Sequence, residues 1–537
     1  MMTLSFSKLM QGLSQLEERY NLPHDHQLNE AAQKLTPDTP LGLLRQDSRQ
    51  IQPGDIFCAI RGFDVDAHRF LPQVAKQGAA LAFVECIDES LPHLPQIQVQ
   101  NTRATLALIA TLLEGMPSQK LHVTGITGSN GKTSTSLMLQ SIHRAAGIEP
   151  GLIGTVQYQS QKRQIASKLT TPDALMLQEL FAEMVETKTT HVIMESSSIG
   201  QDQCRDLGTD YDVLCCINLH REHIDYHGSY EAYRDAKLKF IREAKEDAIV
   251  VLNADFKDCL NVIQETKAQV LTYALENEDA DLLATDLQVE GPMPSFTVRL
   301  NERTCQRYGL PQDAFSQPIT LSVSGIHSVA NALAALAMGL ASSFSPDAIV
   351  KGLESYHGVE RRFQLVYRGH LPDGDFIVFD DHFANAGNIE VTLKSLEAMD
   401  LKRLHLVYAL RGKRGVTVMQ ESMDAFIAEK DLLPELKLYA TTSEDVVDQY
   451  NEVTPEERAC FERMMKEANL SYTFDPHLRG ILQKVIASVS PGDTILLAGC
   501  QGMDAGCRIL FEELMKVHPD WDRAALFEPI QDRVCGR

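Results

Sequence analysis

The chain has 537 residues, 44% apolar and 23% charged, and its 50 Lys plus Arg against 73 Asp plus Glu give a formal net charge of −23. That length exceeds one ordinary hydrophobic core and predicts three or four domains at roughly 150 residues each, and the composition excludes wholesale disorder. A surface this acidic repels nucleic-acid phosphates and anionic lipid heads, which excludes duplex binding and a polybasic membrane anchor.

The opening residues, MMTLSFSKLMQGLSQLEERY, lack the basic stretch and apolar run of a signal peptide. No window approaches the ~20 apolar residues of a membrane span. GDIFCAIRG and AALAFVEC then read as strands, HRFLPQVAKQG between them as a helix closed by Gly, and TRATLALIATLLEG as a second helix that GMPSQ breaks. A domain boundary is expected there, near residue 116. From Leu121 the order becomes strand, Gly-rich loop, helix (LHVTGIT, GSNGKT, STSLMLQSIHRAAG). The runs HVIMESSS, YDVLCCINL and AIVVLNAD alternate with helices, which predicts βαβ units and a mostly parallel sheet. FTVRL and ITLSVSG read as antiparallel strands attached to that domain, and HSVANALAALAMGLA as a buried helix.

A third alternating region supplies the strands FIVFDD, RLHLVYAL, LKLYATT and DTILLAG. The charged stretch 444–468 reads as a helix with a solvated face. The expected fold is α/β in three domains: a smaller α/β domain over 1–116, a central phosphate-loop parallel sheet over 117–345, and a Rossmann-like sheet over 346–537. The 11 cysteines are scattered without metal-ligand spacing and read as reduced, buried thiols of a cytoplasmic protein.

The strongest chemical signal is Gly125-Ile126-Thr127-Gly128-Ser129-Asn130-Gly131-Lys132-Thr133 between strand and helix. Backbone N–H groups from Gly128 through Gly131 and the helix N-terminus can wrap phosphate oxygens. Lys132 can reach the terminal phosphates, and the Thr133 hydroxyl can ligate Mg²⁺. The strict pattern would place Gly at position 126, where this chain has Ile.

GITGSNGKTS resembles the ATP loop of the Mur ligases, cytoplasmic enzymes that join amino acids to a UDP-linked muramoyl peptide, and the chain is most similar to their UDP-muramoyl-tripeptide synthetase (MurE) type. The resemblance is good to residue 245, fair to 365 and weak beyond. It implies ATP and Mg²⁺ as cofactors, a UDP-muramoyl peptide and an amino acid or amine as partners, and no nucleic acid or membrane, with a monomer favoured. Asp47-Ser48-Arg49 followed by PGDIF and AIRG resembles the uridine-nucleotide segment, which implicates Ser48. Thr170-Thr171-Pro172 and MESSSIGQDQCR resemble segments that hold the muramoyl peptide, with Thr170, Thr171, Ser198 and Arg205 as contacts and Glu195 as a Mg²⁺ ligand. The family's His is Ile199 here.

NLHREHIDYHGSYEAYRDAKLKF is the most family-specific stretch. It implies His223 as a ligand of a second Mg²⁺ and Lys237 as a carbamylated lysine that also ligates it, so Lys132, His223 and Lys237 stand as the catalytic set. An unmodified Lys⁺ about 4 Å from Mg²⁺ would be repelled by several kcal/mol even at an effective dielectric near 20. Carbamylation turns that cation into an anionic ligand. GIHSVANALAA implicates His327 and Asn331 at the adenine, and GVERRF implicates Arg362, with Arg361 where the family has Gly.

The C-terminal third departs from the pattern. Asp381 and Asn385 match the family's D-Y-A-H-N-P and would complete the nucleotide site, but Ala384 and Ala386 replace its His and Pro. The segment Arg411-Gly412-Lys413-Arg414 is shortened. TTSEDVVD stands where D-N-P-R grips diaminopimelate, and Gly499-Cys500-Gln501-Gly502-Met503 replaces G-K-G-H-E. A bidentate Arg–carboxylate clamp is not replaced casually. The expected activity is therefore an ATP-dependent amide ligase forming an acyl phosphate, with an acceptor other than diaminopimelate. The alternatives are a related ligase acting on a different carboxylate and a catalytically silent nucleotide-binding subunit.

Overall fold

A computed structural model describes residues 5–533, apart from 63–64, 221–222, 289–292, 324, 372–373, 384–385, 398, 400, 434 and 532. Asn385 lies outside the described residues. Among the described residues the strands form three sheets, of five, eleven and six strands. By compactness the chain divides into one unit of residues 1–285, 298–316 and 330–353 and another of 286–297, 317–329 and 354–537. The segments expected as the first two domains share the first unit almost entirely.

In the five-stranded sheet the expected strands are Ile56–Cys58 and Leu81–Val84, parallel neighbours. The helix expected between them is shorter than its apolar pattern. A 3₁₀ turn, Ala67–Phe70, precedes the helix Leu71–Lys76, whose first turn carries Pro72. Asn101 caps the helix Thr102–Leu113 by accepting the N–H groups of Arg103 and Ala104. Gly115 and Met116, both at positive φ, end it where GMPSQ was expected to.

The central sheet runs from Phe315–Thr320 through Ser295–Leu300, Leu282–Gln288, Gln269–Ala274, Ile249–Asn253 and Val213–Cys216 to His122–Thr127. It continues through His191–Glu195 and Gly151–Ile153 to Gln157–Gln159 and Gln164–Ala166. His122–Thr127 pairs in parallel with a strand on each side. Covered on both faces, these strands need continuous apolar sequence. Val123, Ile126, Val192, Ile193, Met194 and Cys215 are fully buried, each apolar side chain contributing about 1.5–3 kcal/mol. Gly125 is required by close approach, since a Cβ there would lie 2.5 Å from the Phe240 ring and 2.6 Å from that of Tyr211.

The six-stranded sheet contains the four expected strands plus Gln364–Leu371, antiparallel to Gly374–Asp381, and the edge strand Tyr472–Phe474. Its core is Leu, Ile, Met and Phe from both faces, with Leu404, Leu406, Ile495 and Leu496 at the centre. The charged stretch 444–468 does hold a helix, Pro455–Glu467, but one of its charges is not solvated. Glu457 is buried and accepts N–H groups from Lys413, Arg414, Gly415 and Thr454 at 2.8–3.0 Å. Burial pushes its pKa up, and these four donors outweigh that and hold it below the usual range. Among the described residues, no helix is long and apolar enough to cross a membrane.

At the end of the central strands away from the phosphate loop, His143 is buried with its ring 4.6 Å from Phe344 and 5.3 Å from His191. Burial pushes His143 down to about 3, even though Leu139 O lies 2.8 Å from Nδ1. The folded state therefore holds this ring neutral while the unfolded chain protonates it near 6.5. Its contribution is fully present above that pH and is lost as pH falls. Between pH 7 and pH 5.5 the loss is about 1 kcal/mol. Urea midpoints across that range should show it, and a His143→Phe variant with the same slope as the parent would refute the assignment.

Candidate functional site

The carboxyl ends of parallel strands are where α/β sheets gather ligand groups, and the phosphate-loop residues and Glu195 stand there. The strand His122–Thr127 turns through Gly128 and Gly131, at φ +151° and +88°, into the helix Lys132–Ala145. Gly131 has a packing reason as well, because a Cβ there would sit 2.3 Å from Asn331 Oδ1. Asn130 is fastened reciprocally, its N–H donating to Asn218 Oδ1 at 2.9 Å and its carbonyl accepting from Asn218 Nδ2 at 3.0 Å. Ser129 is buried, 2.6 Å from the Tyr233 hydroxyl.

Two lysines converge on one carbonyl. Lys132 Nζ donates to Gly128 O at 2.6 Å and to Ser129 O at 2.9 Å, and Lys237 Nζ donates to the same Gly128 O at 2.7 Å. Lys237 is 2% exposed and stands 5.2 Å over the Tyr233 ring. Two ammonium groups on one carbonyl oxygen repel by a few kcal/mol even at an effective dielectric near 20. A phosphate between them, or loss of one positive charge, relieves that repulsion.

Glu195 ends the neighbouring strand and is buried. Thr133 Oγ1 donates to its Oε2 at 3.1 Å, and Thr155 donates to it from both N–H and hydroxyl, at 3.1 and 2.8 Å. Burial pushes its pKa up, and the Thr155 donors, the Lys132 charge and Thr133 pull it back. A buried carboxylate beside a hydroxyl is a hard-oxygen pair that fits a divalent cation shared with phosphate oxygens. Among the described residues no group of three or more His, Cys, Asp or Glu is arranged to hold a metal. His223 is exposed at φ +51°, its ring 6.3 Å from that of Tyr233. It precedes the short helix Ile224–His227.

Thr171, Ser198 and Arg205 lie together beside Glu195. Thr171 Oγ1 donates to Glu195 O at 3.0 Å, and Arg205 donates to Thr171 O at 3.0 Å. Thr170 Oγ1 is 3.1 Å from the Thr155 hydroxyl, and Ser198, buried, opens a helix that Ser197 caps. Burial lowers the Arg205 pKa, and the neighbouring charge of Arg103 lowers it further. Arg103, from the N-terminal segment, also donates to Arg61 O at 2.9 Å. In that segment Ser48 is buried at the start of a 3₁₀ turn that Asp47 caps, and Asp55 pins the turn by accepting the N–H groups of Leu43 and Gln52.

His327 and Asn331 stand one turn apart on the helix Ile326–Ala341, the first exposed and the second buried. In the second unit Asp381 gives its oxygens to the N–H groups of Phe363 and Phe383, at 2.7 and 2.8 Å. It thereby fixes the left-handed turn that presents Arg362, an exposed side chain. Arg361 is 2% exposed and donates to Asp380 at 3.3 Å, to Cys500 O at 3.0 Å, and to Asp504 and Gly499 O. Asp445, from TTSEDVVD, caps the helix Leu478–Ile486 by accepting the N–H groups of Leu478 and Arg479.

Sequence reasoning missed Thr155, Asn218, Tyr233 and Arg103. Asn218 and Tyr233 lie within the family-specific stretch NLHREHIDYHGSYEAYRDAKLKF, but no role was assigned to either.

A family model described as the Mur ligase middle domain matches residues 126–339. A UDP-N-acetylmuramoyl-L-alanyl-D-glutamate–2,6-diaminopimelate ligase of Bacillus velezensis is 33% identical over 386 residues, 71% of this chain and 75% of that protein. A ligase of the same name from Listeria monocytogenes is 30% identical over 469 residues, 85% of this chain and 88% of its own. A solved structure of a ligase of that name covers 96% of this chain and 100% of its own, with a TM-score of 0.67 at 20% identity. MurF from Acinetobacter baumannii covers 93% and 98%, with 0.54 at 20%. The two solved structures share the fold. The sequence likeness, spanning most of both chains, goes further: this chain belongs to the Mur ligase family of ATP-dependent acid–amino-acid ligases.

Proposed function

We propose that the chain adds an amino acid other than diaminopimelate to the carboxylate of a UDP-N-acetylmuramoyl peptide, through an acyl phosphate, in the cytoplasm during peptidoglycan synthesis. The observation that carries the ligase chemistry is the pair of lysines on Gly128 O beside the buried Glu195. In this reading residues 1–116 bind the nucleotide sugar, 117–345 bind ATP and 346–537 receive the amine. Ser48 contacts the uridine nucleotide, and Thr170, Thr171, Ser198 and Arg205 hold the muramoyl peptide.

The loop amides of Gly128, Asn130 and Gly131 and the Lys132 ammonium take the phosphates. His327, Asn331, Arg362, Asp381 and Asn385 orient the nucleotide. Thr133 would help hold one Mg²⁺, and Glu195 with His223 and carbamylated Lys237 would hold the second. Bound there, Mg²⁺ neutralises charge on the transferring phosphoryl group. The protein's own groups align the carboxylate with that phosphorus and keep water away from the acyl phosphate.

The altered acceptor rests on the second unit. Asp445 is engaged in capping a helix, and Gly499 O, Cys500 O and Asp504 are engaged by Arg361, so these groups serve the fold. The test is phosphate release from ATP with UDP-muramoyl-dipeptide and a panel of amino acids. Turnover is expected with an amine other than diaminopimelate. Fastest turnover with diaminopimelate would overturn the acceptor reading, and no turnover with any amine would leave a silent subunit.

A further inference from the structure

A cavity of about 320 Å³ lies in the first unit, away from the phosphate loop. Arg19 and Tyr20, at the end of the helix Phe6–Arg19, form one wall. Gln201 and Asp206 form the floor, and Phe240 and Glu243 the opposite wall. Its volume is that of a small ligand site, lined by the Tyr20, Tyr211 and Phe240 rings and by several charged side chains.

The charges around it are unevenly matched. Arg19 donates to Asp210 at 2.8 Å, and Lys245 stands 2.9 Å from both Asp210 and Asp212. Those cations are engaged. Lys239 is 3.7 Å from Glu243, which leaves one ammonium facing two carboxyl groups, Glu243 and Asp206. Asp206 is held by two hydroxyls, Ser196 at 2.5 Å and Tyr211 at 3.2 Å. Gln201 Oε1 is buried without a hydrogen-bond partner, while its Nε2 donates to Ser196 Oγ at 3.0 Å. Gln201 Oε1 is buried unpaired, and the Asp206 and Glu243 carboxyls share the single Lys239 ammonium, which leaves room for one further cationic donor. The Phe240 and Tyr211 rings beside them suit an apolar or cationic group.

We propose that this cavity binds a small organic cation, a primary ammonium on an aromatic or branched apolar body, and that its occupancy is transmitted to the nucleotide site through Ser196. The ammonium donates to Gln201 Oε1 and to the carboxyl groups of Asp206 and Glu243, while the apolar body lies against Phe240 and Tyr211. The route to the site is short. Ser196 follows Glu195 directly, its N–H donates to Ile126 O at 2.8 Å beneath the phosphate loop, and its hydroxyl is held by the cavity floor. A ligand that competes for Asp206 therefore acts on the residue next to the buried carboxylate. The site is separate from every residue assigned to the ligase reaction, so it stands or falls independently of the acceptor.

The experiment titrates the full chain calorimetrically with phenethylammonium and, in parallel, with its uncharged counterpart 2-phenylethanol. Phenethylammonium should bind one-to-one and at least about tenfold more tightly than the alcohol. Ala244→Phe fills the cavity and should abolish that binding, and Glu243→Gln should weaken it about tenfold. Both variants should keep the thermal midpoint and the basal phosphate release of the parent. Saturating phenethylammonium should shift the parent's KM for Mg-ATP and leave that of Ala244→Phe unchanged. Absence of saturable binding, equal binding of the alcohol, or undiminished binding by both variants would overturn the site. An unshifted KM at saturation would overturn the link through Ser196.

Discussion

Replacing Lys132 by Met lowers ATP-dependent phosphate release by about 10²–10³-fold, the cost of removing one preorganised charge aimed at the developing transition state. Thermal stability should change far less, because the lysine's hydrogen bonds to Gly128 O and Ser129 O stay within its own loop. Lys237→Ala produces a comparable loss for a different reason. Its ammonium, buried against Tyr233, shares Gly128 O with Lys132, an arrangement that carries the repulsion of two like charges.

Carbamylation removes that repulsion. The ammonium first gives a proton to solvent. The free amine then attacks carbon dioxide, an N–C bond forms as one C=O π bond breaks, a second proton leaves nitrogen for solvent, and an anionic oxygen pair replaces the cation. In ¹³C-bicarbonate the parent should show a carbamate carbonyl resonance that disappears in Lys237→Ala. A parent spectrum without that resonance, or full activity in Lys237→Ala, would remove the carbamate from the reaction. Normal turnover by Lys132→Met would remove the loop from it.

Arg361→Gly, which restores the residue the family pattern has at this position, should destabilise the second unit by about 3–5 kcal/mol. The arginine is buried among Asp380, Asp504 and two backbone carbonyls. Burial pushes the Asp380 pKa up, and the charges of Arg361 and Arg533 more than reverse it. Without Arg361 two carboxylates and two carbonyls lose a shared donor inside the fold. Glycine would relieve the left-handed backbone at φ +53°, a gain of about 1–2 kcal/mol. The lost charge is the larger of the two effects. Arg361→Lys should recover only part of the loss, since an ammonium cannot span four acceptors as the planar fork does. Urea denaturation and hydrogen exchange along Gly374–Asp381 measure it. A change below about 1 kcal/mol would mean that the network holds without its central cation.

The parts of the fold legible in the sequence are those where local pattern and tertiary environment agree. Strands such as VLCC, and the Val192–Met194 centre of HVIME, are apolar because both faces are covered. The phosphate loop declares itself by glycines at positive φ between a strand and a helix. Gln364–Leu371 was missed although the P-D-G turn signal lies between it and the next strand, because its own residues, QLVYRGHL, mix charge and bulk without clean alternation. The burial of Glu457, within an otherwise solvated charged face of Pro455–Glu467, was missed for a related reason. Thr454 and Glu457 form a capping box, a signal present in the residues, but the run of charges around them masks it.

In the site, Lys132, Thr133 and Glu195 were legible because strand ends and a loop motif position them. Thr155 was not, since it reaches Glu195 from a hairpin 40 residues away whose strands have only three residues each. The burial of Arg361 was equally hidden. A guanidinium reads as surface until its partners from residues 380, 499, 500 and 504 are brought around it.

The strand order of the second unit also bears on how the chain is made. Asp493–Ala498 is the last strand in the chain but lies between Gly374–Asp381 and Arg403–Ala409, pairing in parallel with both. A ribosome delivers those two neighbours first. Each then keeps an unpaired edge while nearly a hundred further residues are synthesised, and the sheet can close only by insertion from the late end. Arg533, which donates to Asp380 and Gln364, then closes the first hairpin from later still. This half of the protein therefore completes its fold only after essentially all of its chain has emerged, whereas the phosphate-loop strand and both of its sheet neighbours are available by residue 216.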